Sequence, residues 1–227
     1  MKKTIALILV CVMVLTAFAA CGEKDITGTI TESDGGKSTV DVTKPETEGD
    51  ESELELGNVS DGASYTNDFA KINFNLPDGW SFSSQEELMS LMNLSNAELF
   101  SEDKAALLEY AIAGTVYDMM AQSAAGENVM VMFENTSRYL GGALLSEDGY
   151  LDALESNFDM IQGMTYVIGD RGSVTLGGID YKTLSSQIEG YAIYQEYMVR
   201  RVGKYMVCIA LTGFNEASIE AMYDYFS

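Results

Sequence analysis

Near residue 62 the chain changes character, and that break decides where a core can form. From Gly22 to Gly62 there are 12 acidic and 3 basic residues, much Thr, Ser and Gly, and no Phe, Trp or Tyr. So little apolar surface cannot offset the entropy lost on ordering, and residues 21–62 are expected to be a disordered tether. A flexible coil of that length spans roughly 35 Å on average. Residues 63–227 then supply enough chain for one domain with a sizeable core, and no internal repeat divides them.

Cysteine and histidine usage restricts the chemistry. Cys11 and Cys21 precede the break, so Cys208 is the one thiol in the expected domain. It cannot form an internal disulfide, and the fold must rest on its core. Cys208 lies in the apolar run KYMVCIALTGF and reads as a small buried hydrophobe. The chain has no histidine. Ser/His/Asp and Cys/His catalysis, His-based zinc or copper sites and imidazole pH switching are thereby excluded. The glycine pairs 141–142 and 177–178 lack the Lys and helix context of a phosphate loop and read as turns. No cofactor is implied. Carboxylates are plentiful, so a carboxylate-only mechanism such as glycoside hydrolysis stays open.

The local patterns describe an α+β domain. In FAKINFNLPDGWSF, Ile72, Phe74 and Leu76 alternate with Lys71, Asn73 and Asn75, the period of a half-buried strand. Pro77, Asp78 and Gly79 make a turn, and Trp80 with Phe82 starts a second strand. Ser84 and Glu87 have capping-box spacing ahead of a helix through QEELMSLM, and Ser95 with Glu98 repeats it before a short helix ending near Phe100. A longer helix is predicted over Glu102–Ser123, apolar on a wide face. NVMVMFEN (128–135) reads as a central strand. Leu151, Leu154, Phe158 and Ile161 recur at helical spacing, with Gly163 as the C-terminal cap. Strand-like segments follow at 166–169, 173–176, 181–188, 191–201 and 204–214, in hairpins. A last helix starts near Asn215, with Ile219, Met222, Tyr223 and Phe226 on one stripe. The expected fold is a mainly antiparallel sheet flanked by helices.

The N-terminus points to export. Lys2 and Lys3 precede an apolar or small-residue run from Ile5 to Ala20, shorter than the roughly 20 residues of a permanent span. The segment FAAC, ending at Cys21, resembles the lipobox of bacterial lipoproteins. That resemblance implies a signal peptide over residues 1–20, cleavage before Cys21 and acylation of Cys21, giving an extracytoplasmic domain anchored to the cell membrane. Without Lys2 and Lys3 the net charge moves from −22 to −24. Such a field repels nucleic acid and anionic lipid surfaces. Calcium suits scattered carboxylates, yet SEDGYLDALE (146–155) lacks the alternation of an EF-hand loop.

The order of strand, LPDGW turn, helices, meander and closing helix, with FNLPDGW as its local motif, resembles the PsbP-like α/β/α sandwich over about Tyr65–Phe226. The resemblance implies an accessory or binding module rather than a catalyst, serving an envelope protein, peptide or small ligand. Trp80 reads either as a ligand-stacking platform or as a strand-to-helix anchor. Tyr194 and Tyr197 fall on opposite faces of a strand, so that one of them looks outward beside Gln195, Glu196 or an arginine, as on recognition surfaces. Trp80, Tyr194 and Tyr197 are therefore the candidate recognition residues. The competing reading is a carboxylate-based hydrolase of envelope glycan.

Overall fold

The computed structural model describes residues 54–92, 114–138, 142–161 and 163–227. Two antiparallel sheets organise them. The small sheet consists of β1 (Asn58–Ser60), β2 (Ser64–Asn67) and β3 (Ile72–Asn75), in that order. The large sheet contains β4 (Trp80–Phe82), β5 (Thr115–Ser123), β6 (Asn128–Asn135), β7 (Tyr166–Leu176), β8 (Ile179–Ile188), β9 (Tyr194–Val202) and β10 (Tyr205–Gly213). Its spatial order is β4-β5-β6-β10-β9-β8-β7, so β4 and β7 are the edges. Three α-helices accompany the sheets among the described residues: α1 (Gln85–Leu91), α2 (Glu147–Phe158) and α3 (Glu216–Tyr223). The expected mainly antiparallel α+β class is the one observed.

Both faces of the large sheet are covered, which is why its central strands β6 and β10 are buried from end to end. A strand buried on both faces reads as a continuous apolar run. Val207, Ile209 and Leu211 face the layer made by the small sheet and α3. Met206, Cys208 and Ala210 face α2, which contributes Tyr150, Leu151, Leu154 and Phe158. Each such large apolar side chain contributes roughly 1.5–3 kcal/mol through burial. Much of the filling is methionine, with Met119, Met120, Met130, Met132, Met198, Met206 and Met222 all buried.

Local chemistry sets the element ends. Ser84 accepts from the Glu87 N–H while the Glu87 carboxylate accepts from the Ser84 N–H, forming the expected capping box of α1. Asn215 caps α3 by accepting from the Ser218 N–H. Gly177 and Gly178, with φ of 54° and 80°, form the two-residue turn that joins β7 to β8. Positive φ at both central positions matches the twist of the flanking strands.

Four expectations are corrected. Thr115–Ser123, placed in a helix by its broad apolar content, is strand β5; the sheet packs it on two faces, and its β-branched and aromatic start at Thr115, Val116 and Tyr117 suits a strand. Residues 102–113 of that expected helix, and the short helix after Ser95, lie outside the described residues. The segments 166–169 and 173–176 are one strand, β7, interrupted by a bulge between Ile168 and Arg171. Helix α2 closes at Phe158 with Asp159 as its cap, and Gly163 instead occupies a turn with φ of 84°.

The fourth concerns residues 54–62, expected in the tether, which among the described residues pack with the domain. Leu54 is 3% exposed, and Asn58–Ser60 pairs with β2. One acidic side chain draws this segment in. Strand β5 carries an extra residue at Asp118, between Tyr117 and Met119. Oδ2 of Asp118 accepts from the Gly57 N–H at 2.8 Å, the Tyr65 hydroxyl at 2.5 Å and the Asn67 amide at 2.9 Å. Gly57 approaches so closely that a side-chain carbon there would stand 2.3 Å from the Tyr65 ring.

Asp118→Ala leaves these donors without that carboxylate, an effect on the order of 3 kcal/mol given the usual cost of unmatched buried donors. Urea unfolding is expected to show the loss, and faster protease cutting around β1 should accompany it. An unchanged midpoint would remove Asp118 from its place as the link between the sheets.

Candidate functional site

Of the candidate recognition residues, Trp80 is half-buried. Its ring meets Tyr225 edge-on with centroids 5.8 Å apart, so it anchors β4 to the chain after α3. Tyr197 is the inward member of the opposed tyrosine pair. It is 0% exposed, lies under α2, packs at 5.6 Å from Phe158 and donates its hydroxyl to Gln195 Oε1 at 3.1 Å. It cannot meet a partner, because α2 covers the face onto which it projects. Tyr194 projects to the opposite face and is partly exposed, in a groove. Cys21 lies outside the described residues.

The groove has a volume of about 300 Å³ and lies where α3 stops short of covering β7, β8 and β9. Its lining includes the small residues Gly169 and Ser185. A side-chain carbon on Gly169 would stand 2.4 Å from Ser185 Oγ, so the position is kept bare by its neighbour. Ile219 and Met222 bury one stripe of α3 against the sheet. Glu216, Glu220 and Tyr223, at one-turn and two-turn spacing, then form the groove wall. Tyr194 and Glu196 rise from β9, and Asp170 comes from the bulge of β7.

The electrostatics are one-sided. Asp170, Glu196, Glu216 and Glu220 line the groove, and none of its described lining residues is Lys or Arg. Arg171 is turned to the other face, where it pairs with Asp152 at 2.7 Å and Glu155 at 2.6 Å of α2. Burial pushes the Glu196 carboxyl above its ordinary pKa, and the Glu220 charge adds to the shift. Hydrogen bonds from the Tyr223 and Thr183 hydroxyls offset part of it. Burial, and then the bond to Glu196, push the Tyr223 hydroxyl upward in turn. Among the described residues no three acidic or cysteine side chains gather closely enough to hold a metal ion. The carboxylates ring the groove instead.

A second cavity, of about 320 Å³, lies between β1, α1 and β5 and is largely apolar, with Leu56, Met89, Met92 and Met119 on its walls. It offers little convergent polar chemistry beyond Asp118, which already holds the two sheets together. The acidic groove is the candidate site. Sequence reading found Tyr194 and its neighbour Glu196 but missed Asp170, Gly169, Glu216 and Glu220. Among 35 acidic residues nothing local marks these out.

No family model matches the chain, and no curated protein matches it. Among solved structures, the chain is similar to the solution structure of cyanobacterial PsbP (CyanoP) from Synechocystis sp. PCC 6803, with 14% identity and a TM-score of 0.44. The match covers 76% of this chain and 96% of that one. The likeness concerns architecture, and the chemistry of the groove rests on its own residues. No helix among the described residues is long and apolar enough to cross a membrane.

The raised Glu196 pKa has a sign that can be tested. Both folded and unfolded states are protonated below the ordinary value of 4.5, and stability is shed as pH climbs through the higher folded-state value. Relative to Glu196→Gln, the native protein is expected to lose stability as pH rises above the ordinary value of 4.5, with the difference between the two levelling off once the folded-state carboxyl has ionised. Urea midpoints for both proteins at several pH values measure this. A pH-independent difference between them contradicts it.

Proposed function

We propose that this protein is a lipid-anchored extracytoplasmic binding domain whose acidic groove receives a positively charged group. Acylation of Cys21 is the anchor, and the acidic stretch before Leu54 is the spacer that holds the domain clear of the membrane. The observation that carries the binding assignment is the convergence of four carboxylates with Tyr194 and Tyr223 around an open concave surface with no Lys or Arg among its described lining residues. Carboxylates spread around a rim suit an ammonium or guanidinium, which donates to several partners at once, and tyrosine faces favour the same cations. The net charge of the chain adds long-range attraction for such a ligand.

Spermidine is a suitable probe, titrated into the purified full-length chain in detergent and followed by calorimetry. Saturable binding is expected, weakened roughly tenfold or more when salt rises enough to shorten the screening length to about 3 Å. The Glu216→Gln/Glu220→Gln variant should lose at least tenfold in affinity. Binding that ignores both changes overturns the reading. The anchor is tested separately: Cys21→Ala should abolish a globomycin-sensitive mobility shift in bacterial cells, and absence of any shift in the native protein ends the lipoprotein assignment.

One observation favours the hydrolase reading, namely that Glu196 holds its proton more tightly than an ordinary carboxylate while other carboxylates share its groove. Tyr223 and Thr183 already engage Glu196, which suits a fixed binding wall better than an acid that must give up its proton to a substrate. Sustained release of reducing ends from wall polysaccharide, lost in Glu196→Gln, would move the assignment to the enzyme.

A further inference from the structure

Three of the four groove carboxylates, those of Asp170, Glu216 and Glu220, belong to exposed residues, whereas Glu196 is half-buried. The difference follows from the strand that carries it. Glu196 lies in β9, paired with Leu211 of β10 on one side and Ser185 of β8 on the other, and α3 packs against β9 and β10. Ile219 and Met222 bury their stripe of α3, and that rotation brings the Tyr223 hydroxyl to Glu196, to which it donates. The Thr183 hydroxyl supplies a second hydrogen bond. The titratable groups around Glu196 are Tyr223, Glu216 and Glu220 of α3, Asp170 of β7 and Tyr194 of its own strand, while its ladder partners Leu211 and Ser185 do not titrate.

An ionised carboxylate offers about four acceptor positions, and a protonated one carries no charge and turns one O–H outward. Tyr223 and Thr183 take two of those positions, which leaves acceptors on Glu196 for a cation in the groove. A cation thus selects the ionised form. In the empty groove, burial and the Glu220 charge favour the protonated form, and an ammonium close by opposes both influences. Ligand and proton then compete by linkage, each weakening the other to the same degree. Burial and the bond to Glu196 hold the Tyr223 hydroxyl above its ordinary pKa, so it stays a donor throughout.

We propose that the groove takes its cation in exchange for the proton on Glu196, and that Tyr223 is the positioning residue that steadies the resulting carboxylate. The O–H bond of Glu196 breaks, the carboxylate keeps the electron pair, and the proton passes to solvent. The proposal rests on the cation-binding reading of the groove and adds its regulation: loading near neutral pH and release on acidification.

The test titrates spermidine into the full-length chain in detergent by calorimetry, in steps from about pH 4.5 to about pH 7, each in two buffers that differ in heat of ionisation. The pair of buffers reads the protons released per spermidine bound. The native protein is expected to release a fraction of one proton, rising and then dying away as pH climbs. Glu196→Gln should release at least threefold fewer at the native maximum, and native affinity should gain at least threefold more across the range than that of the variant. Tyr223→Phe keeps the ring but removes a hydrogen bond that favours the ionised carboxylate, so its release profile should move to higher pH. Lost packing alone would weaken binding without moving that profile. Spermidine binding with no proton released at any pH overturns the exchange and leaves the cation groove standing, as does equal release by Glu196→Gln. A Tyr223→Phe profile that stays at the native pH overturns the positioning role. If the native chain binds no spermidine at any pH, the groove reading falls and the proposal with it.

Discussion

The carboxylate of Asp118 ties together two sheets that, among the described residues, have no strand pairing between them. The bulge in β5 frees Asp118 from the ladder and shifts the alternation beyond it, so that Met119 and Ala121 face the small sheet. One oxygen then gathers a backbone N–H, a phenol and an amide from β1, β2 and their approach. Burial holds the Tyr65 hydroxyl well above its ordinary pKa, with the Asp118 charge adding to the effect, so the phenol stays a donor. Hydrogen bonds to a charged acceptor are stronger than neutral ones, and a partly buried site strengthens them further. Once the small sheet is docked, β3 can bond to the chain after α3, through the Asn75 N–H to the Tyr225 carbonyl and the Ser227 N–H to the Asn73 carbonyl. The position of α3 follows from that contact.

The groove is a by-product of how this layer is assembled. The small sheet and α3 share one face of the large sheet, and α3 spans only Glu216–Tyr223. They cover β5, β6 and β10 but leave one corner of β7, β8 and β9 open. At that corner the sheet presents Gly169, Ser185 and Gln187 in place of large apolar residues. On the other face α2 runs across the sheet and closes over Tyr197 and Met206. One strand, β9, thus places Tyr197 in a sealed core and Tyr194 beside solvent.

Much of the architecture was legible because it is local. Ile72 and Phe74 alternate with polar neighbours, Ser84 and Glu87 cap a helix, and Gly177–Gly178 can take the two successive positive φ angles of a tight turn without strain. What failed depends on tertiary surroundings. The tract from Thr115 carries apolar residues for two covered faces, and without knowledge of the second face that breadth imitates a helix stripe. Leu54 is one apolar residue in an acidic run, and its burial comes from a strand 61 residues downstream of Gly57. The groove combines β7, β9 and α3, and its carboxylates become special only when those three meet. For Tyr194 and Tyr197 the alternation gave opposite faces, but which face is covered depends on α2, which the strand itself does not reveal.

The methionine-rich interior has a consequence for life under oxidants. In the native state these thioethers are shielded, and a sulfoxide there would force a polar group into apolar packing. Peroxide therefore reaches Met132 or Met206 only in molecules that have opened, and each oxidised molecule then has difficulty closing again. Sulfoxide at those positions becomes a chemical record of past breathing, and in a compartment without repair reductases it would set the lifetime of the domain.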